Sequence, residues 1–157
     1  MKRIIALFFI VVIATSSLFA FKFNSLGIET GTGFHISADM DIIENLDAYA
    51  RIGYNGRFAL SFGGQYKIAE LKISQTTLPM KAGLQMGFGF GDSTFGFTLL
   101  GTFSFSFDHD VFTAFLRPGI GLGLSSYSYY SYYEDKKVTN TDAYFAWTIE
   151  TGVAFRF

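Results

Sequence analysis

Two histidines are the only imidazole bases in this 157-residue chain, and it contains no cysteine. His35 and Ser37 stand two residues apart, and on an extended strand that spacing puts a base and a hydroxyl on one face. Such a pair is the minimum for nucleophilic attack on an ester, and a third group would have to orient the imidazole. His109 lies in Asp108-His109-Asp110, a turn signal, where a polar turn residue is the expected reading. Zero cysteines exclude disulfides, thiolate metal sites, a thiol nucleophile and an acylated lipoprotein cysteine. Neither metal-ligand spacing nor a nucleotide loop nor a basic nucleic-acid motif occurs, and the Gly-x-Gly-x-Gly at Gly119 to Gly123 has no helix behind it. The residues therefore predict no catalytic group, no cofactor and no metal.

The elements that carry these residues are strands. In FTLLGTFSFSF the set Phe97, Leu99, Gly101, Phe103, Phe105, Phe107 alternates with Thr98, Leu100, Thr102, Ser104, Ser106, and a period of two means strand. The alternation recurs in LPMKAGLQMGFGF, LDAYARIGY, RFALSF, VFTAFLRPGIGLGL and YFAWTIETGVAFRF, with no competing helical pattern. Turn signals at Asn55-Gly56, Gly91-Asp92-Ser93 and Asp108-His109-Asp110 make the strands antiparallel neighbours. Residues 21–43 keep apolar even positions around Gly31-Thr32-Gly33 and suit two more strands. The prediction is all-β: an eight-stranded antiparallel up-and-down barrel with strands near 21–31, 33–43, 46–55, 57–67, 78–90, 95–107, 111–127 and 142–157. In 68–77 the apolar parity shifts to Leu71 and Ile73, which predicts a bulge or a loop.

Which face meets solvent follows from volume. Past residue 20 there are 17 Phe, and 14 fall on the apolar set of these strands. An eight-stranded barrel interior holds little more than a filling of side chains, so that set belongs outside, against lipid. The opposite face alternates Gly, Ser and Thr with charges, which suits a narrow lumen. That lumen would hold Glu29, Arg51, Arg57, Lys67, Lys81, Arg117, Glu150 and Arg156, with Asp47 near a turn. Such charges must pair or be hydrated, so a plug of ion pairs is expected, with a narrow pore for small solutes as the alternative.

The start of the chain reads as a secretory signal over 1–20: Lys2 and Arg3, then IIALFFIVVIA, then TSSLFA ending at Ala20. Cleavage after Ser17 or retention as an anchor are the alternatives. The 21–157 remainder is one barrel domain. Without Lys2 and Arg3, ten basic face thirteen acidic residues, a net charge of −3 that gives no reason to expect nucleic-acid binding.

The chain ends ETGVAFRF. Glu150, Gly152, Phe155 and Phe157 resemble the C-terminal assembly signal of bacterial outer-membrane barrels: a polar residue, Gly two further on, then apolar residues at the third-last and last positions. The resemblance implies secretion to the periplasm, insertion by the barrel-assembly machinery and residence in the bacterial outer membrane, in the class of small OmpA/OmpX-like barrels. Trp147 and Phe157 share the outward face, and at about 3.3 Å per residue and a tilt near 45° they are about 23 Å apart along the membrane normal, as flanking aromatic girdles would be.

His35-Ile36-Ser37 is similar to the His-x-Ser of lipid A deacylase barrels, but Ala38, Asp39 and Met40 follow where that family has Asn-Ala, and both residues are expected to face the lumen. The remaining feature is SSYSYYSYYEDKKVTNTDAY. Its Tyr129, Tyr130, Tyr132 and Tyr133 lead into the longest polar connection, an interfacial belt with a solvated loop or a partner-binding loop over 129–141. The expected molecule is a monomeric, non-enzymatic outer-membrane barrel surrounded by lipid, with a structural or surface-interaction role. A porin-like pore, a lipid-modifying enzyme and a soluble lipocalin-like binding barrel are the alternatives.

Overall fold

Alternating β-branched and aromatic residues leave the backbone one way to satisfy its polar groups, pairing with a neighbour on each side. A computed structural model describes residues 22–73, 76–133 and 135–157; the expected signal segment lies outside the described residues. The elements are β1 Lys22–Thr30, β2 Phe34–Ile43, β3 Leu46–Tyr54, β4 Phe58–Ile73, β5 Thr76–Gly91, β6 Thr94–Asp108, β7 Phe112–Ser131 and β8 Lys136–Arg156. Each strand pairs antiparallel with the next, and β8 pairs with β1, so the sheet closes as a barrel. The even, all-antiparallel meander is the fold class that the alternation predicts.

Closure sets the shape. Following paired residues around the sheet from Leu26 leads through Ala38, Ala50, Phe62, Met86, Leu99 and Leu122 to Phe145. Leu26 itself pairs with Phe155, ten residues farther along β8. A stagger of ten over eight strands tilts them by about 40° from the axis. Tight turns finish the hairpins: Gly56 has φ 87°, a left-handed conformation that glycine adopts without penalty, and Asn45 has φ 66° in the β2–β3 turn.

The molecule is apolar outside and polar inside. Leu122, Trp147 and Phe145 are 70%, 67% and 63% exposed, whereas Glu29 and Arg51 are 1% and 2% exposed. Leu100, Thr102, Ser104 and Ser106 are buried inward while Leu99, Gly101 and Phe107 face out, as the parity predicts.

Two pairs of strands are longer than expected. β4 and β5 remain paired past 67 and 78, because a bulge between Lys67 and Ala69 absorbs one residue and resets the parity. Leu71 then pairs with Leu78 and Ala69 with Met80, so the apolar set stays outward. Of the two options for this segment, the bulge is the one found. β7 and β8 run on to Ser131 and Lys136 in unbroken register, so most of the expected 129–141 loop is ladder, and of its described residues only Tyr132, Tyr133 and Asp135 are not. Cross-strand hydroxyl pairs hold that ladder, Ser126 to Thr141 at 2.7 Å and Ser128 to Thr139 at 2.8 Å. β1 covers β8 only over Thr151–Arg156, so the rest of β8 pairs with β7 alone.

Candidate functional site

Period-two strands on a staggered barrel bring inward residues from distant positions to one level. Glu29 of β1, Arg51 of β3, Arg117 of β7 and Glu150 of β8 meet there. Arg51 Nη1 lies 3.0 Å from Glu29 Oε2 and 2.5 Å from Glu150 Oε2. Arg117 Nη1 lies 3.4 and 3.6 Å from the same two carboxylates. Two cations and two anions cancel, and all four are buried. Neutral donors extend the plug: Gln85 Nε2 and Thr148 Oγ1 donate to Glu150 Oε1 at 3.4 and 3.3 Å, and the Tyr49 hydroxyl donates to Gln85 Oε1 at 2.9 Å. The Arg117 guanidinium lies 4.0 Å from the Tyr49 ring centroid and 4.6 Å from that of Phe115.

The inward glycines make room for these side chains. Tyr49 pairs across the ladder with Gly63, Phe115 with Gly152, and Tyr144 with Gly123. In each case a Cβ on the glycine would strike the opposing ring. Tyr49 and Phe115 are not among the expected lumen residues, although their parity places both inward. The usable signal was a large aromatic among small inward residues.

The plug divides the lumen into two chambers. The lower, of about 420 Å³, lies toward the chain's described ends and is lined by Tyr49, Arg117, Lys81, Asp47, Asp108 and Arg156, among others. There Lys81 pairs with Asp47, and Arg156 Nη2 lies 2.9 Å from Asp108 Oδ1. The upper, of about 310 Å³, has Arg51, Gln85 and Glu150 in its floor and Arg57 in its wall. Seven of the eight expected lumen charges thus line a chamber or form the plug. Lys67 is the exception. It sits at the bulge, half-exposed and paired with Glu70 on its own strand, because the β2–β3 turn ends beside it and leaves no lumen there.

His35 and Ser37 point inward and are buried, as expected, and no hydrogen bond joins them. His109 stacks on Phe112 in the β6–β7 turn, with ring centroids 5.2 Å apart. Among the described residues, no group of three or more His, Cys, Asp or Glu could hold a metal ion. Of the C-terminal residues singled out in the sequence, Glu150 belongs to the plug, Gly152 accommodates Phe115, Phe155 faces outward, and Phe157 is exposed just past the end of β8 at the rim of the lower chamber.

The four tyrosines of the expected loop divide between the two faces of the hairpin and its turn, with Tyr130 packed edge-to-face on Tyr132 at 5.4 Å between ring centroids. Tyr129 stacks with Tyr127 on the side that continues the lumen face, with centroids 6.3 Å apart. Tyr130 lies on the opposite face with Ser126 and Ser128, and its hydroxyl donates to Asp135. Tyr132 and Tyr133 project fully exposed from the turn. Asp135 closes that turn in a left-handed conformation, φ 48°.

Comparison of the chain with protein-family models, with curated proteins and with solved structures finds no match.

Proposed function

We propose that this protein is an integral outer-membrane β-barrel with a structural or surface-interaction role and a lumen closed by its own side chains. The observation that carries the reading is the inverted distribution of polarity. A belt of exposed Phe, Leu, Ile and Trp encircles the sheet while Glu and Arg fill its centre. In water that belt would be an aggregation surface, and in a bilayer it is what a spanning barrel needs. A second sign is the switch along β7 and β8. Up to Leu124 and its partner Ala143 the outward residues are apolar except Thr151; beyond them the outward set includes Ser126, Ser128, Thr139 and Thr141 in the same register. That switch is where a hairpin would leave hydrocarbon for water. The motif of Glu150, Gly152, Phe155 and Phe157 adds insertion by the barrel-assembly machinery.

Envelope fractionation tests the reading. The protein is expected in the outer-membrane fraction, extractable only with detergent, and its migration on a gel should change on boiling. Recovery of native protein from the soluble periplasm would sink the membrane assignment. The pore alternative predicts single-channel steps in a planar bilayer. The four-charge plug argues for none at low voltage, because an ion crossing it must displace a paired side chain in a region of low dielectric.

A further inference from the structure

Among the described residues, Arg57 is the one Arg or Lys of the lumen chambers left without a counter-charge. It stands at the end of the β3–β4 turn, and its side chain has no ion pair or hydrogen bond among the described residues. Its position is nevertheless fixed by the sheet. The guanidinium lies over Gly89 and Gly96 of β5 and β6, where a Cβ on Gly89 would come within 2.7 Å of Nε and one on Gly96 within 2.9 Å of both terminal nitrogens. Two glycines side by side on adjacent strands give a planar cation a flat bed. Among the described residues, the only carboxylate lining the same chamber, Glu150, is already held by Arg51 and Arg117. The chamber therefore carries an uncompensated positive charge, facing about 310 Å³ of space with Thr32, Asn55, Ser61 and Thr98 among its polar walls.

We infer that the Arg57 chamber is an oxyanion site that takes a phosphate group. Guanidinium is permanently charged and presents a fork of N–H donors that matches two phosphate oxygens. Held flat before the ligand arrives, it loses little side-chain freedom on binding. Two sources could present the phosphate: a lipid headgroup or phosphate free in solution. The wall favours access from the lipid side. β8 has no strand partner on its β1 side above Thr151, and Phe145 and Trp147, both on the outward apolar face, also line the chamber near Thr32. The site rests on the geometry alone, whereas the lipid source rests on the membrane reading.

The experiment titrates inorganic phosphate into the folded protein in uncharged detergent and follows the arginine Nε–H resonances by NMR. A saturable shift is expected at Arg57 and not at Arg156. Arg57→Gln should weaken phosphate binding at least tenfold. Gly96→Ala keeps the charge and the backbone but displaces the guanidinium, and should weaken it severalfold; it carries the test if the first variant fails to fold. Dihexanoyl phosphatidic acid that competes more tightly than inorganic phosphate assigns the lipid source, and equal or weaker competition assigns free phosphate. No saturable shift at Arg57, or unchanged affinity in the variants, overturns the site. Because this titration needs no membrane, its failure is distinct from a failure of fractionation.

Discussion

Arg51 shows how parity and stagger divide the work at the scale of single residues. Its inward direction was legible from ARIGY alone, since Ala50 and Ile52 flank it on the apolar set. Its partners were not, because Glu29 reaches it across β2 by the pairing register and Glu150 only through the closure of β8 on β1. Removing Arg51 leaves two buried carboxylates to share Arg117, one negative charge uncompensated, so Arg51→Met should cost about 3–5 kcal/mol, read as a lower urea midpoint for loss of the heat-modifiable form. Lys81→Met breaks a half-exposed pair in the lower chamber and should cost about 1 kcal/mol or less. Equal losses would mean that the plug does not outweigh an ordinary surface pair. Gly63→Ala forces Tyr49 off its bed and away from Gln85, an overpacking that should cost about 1–3 kcal/mol in the same assay. On the exposed hairpin, the Tyr130 hydroxyl donates to Asp135, and this bond to the protonated phenol raises its pKa above the ordinary tyrosine value. Ionisation should therefore come later in pH than for a free tyrosine, and Asp135→Asn should bring it back down, as followed by absorbance at 295 nm for the difference between the two proteins.

At the scale of elements, eight strands and their direction were readable because each carries its own period-two signal. Their ends were not, at two places, for different physical reasons. In 68–77 the parity broke, and sequence alone does not distinguish a bulge, which keeps both strands paired, from a loop. The ladder from Ala69–Met80 to Ile73–Thr76 shows that the apolar face continues through the break. In 125–142 the period survives but its polarity inverts, so the segment resembled a polar loop although its hydroxyls pair across the strands. The bulge yields a direct test. Ile68 is the residue without a cross-strand partner, so deleting it straightens the ladder and leaves Leu71 and Ile73 outward. The deletion should keep the folded fraction within about twofold of wild type, whereas Leu71→Asp, which puts a charge on the outward face, should lower it clearly. Loss of folding on deletion of Ile68 would show that the bend itself, and not the parity, is what the bulge supplies.

For the whole molecule, the composition decided between the two ways to wrap a barrel. The fourteen Phe of the apolar set could not have fitted inside, and none of them is buried: nine are exposed and five half-buried. The stagger of ten was beyond reach, since it accumulates over every pairing register around the sheet. It determines how far the two ends differ. At one end lie the described chain ends and the turns after β2, β4 and β6; at the other lie the turns after β1, β3 and β5, and the β7–β8 hairpin standing above them with polar outward residues. Insertion as an outer-membrane barrel with periplasmic chain ends puts that hairpin outside the cell. The absence of cysteine makes the orientation measurable, because any single introduced thiol is the only one present. Ser128→Cys and Tyr132→Cys should react with a membrane-impermeant maleimide on intact cells, while Asn45→Cys and Asp110→Cys should react only after lysis. All four positions are exposed or half-exposed, so a difference between the pairs reports the side of the membrane and not burial. Labelling of Asn45→Cys and Asp110→Cys alone on intact cells would invert the barrel. It would also turn the Arg57 chamber toward the periplasm, where its phosphate would have to come from the inner leaflet or the periplasmic solution.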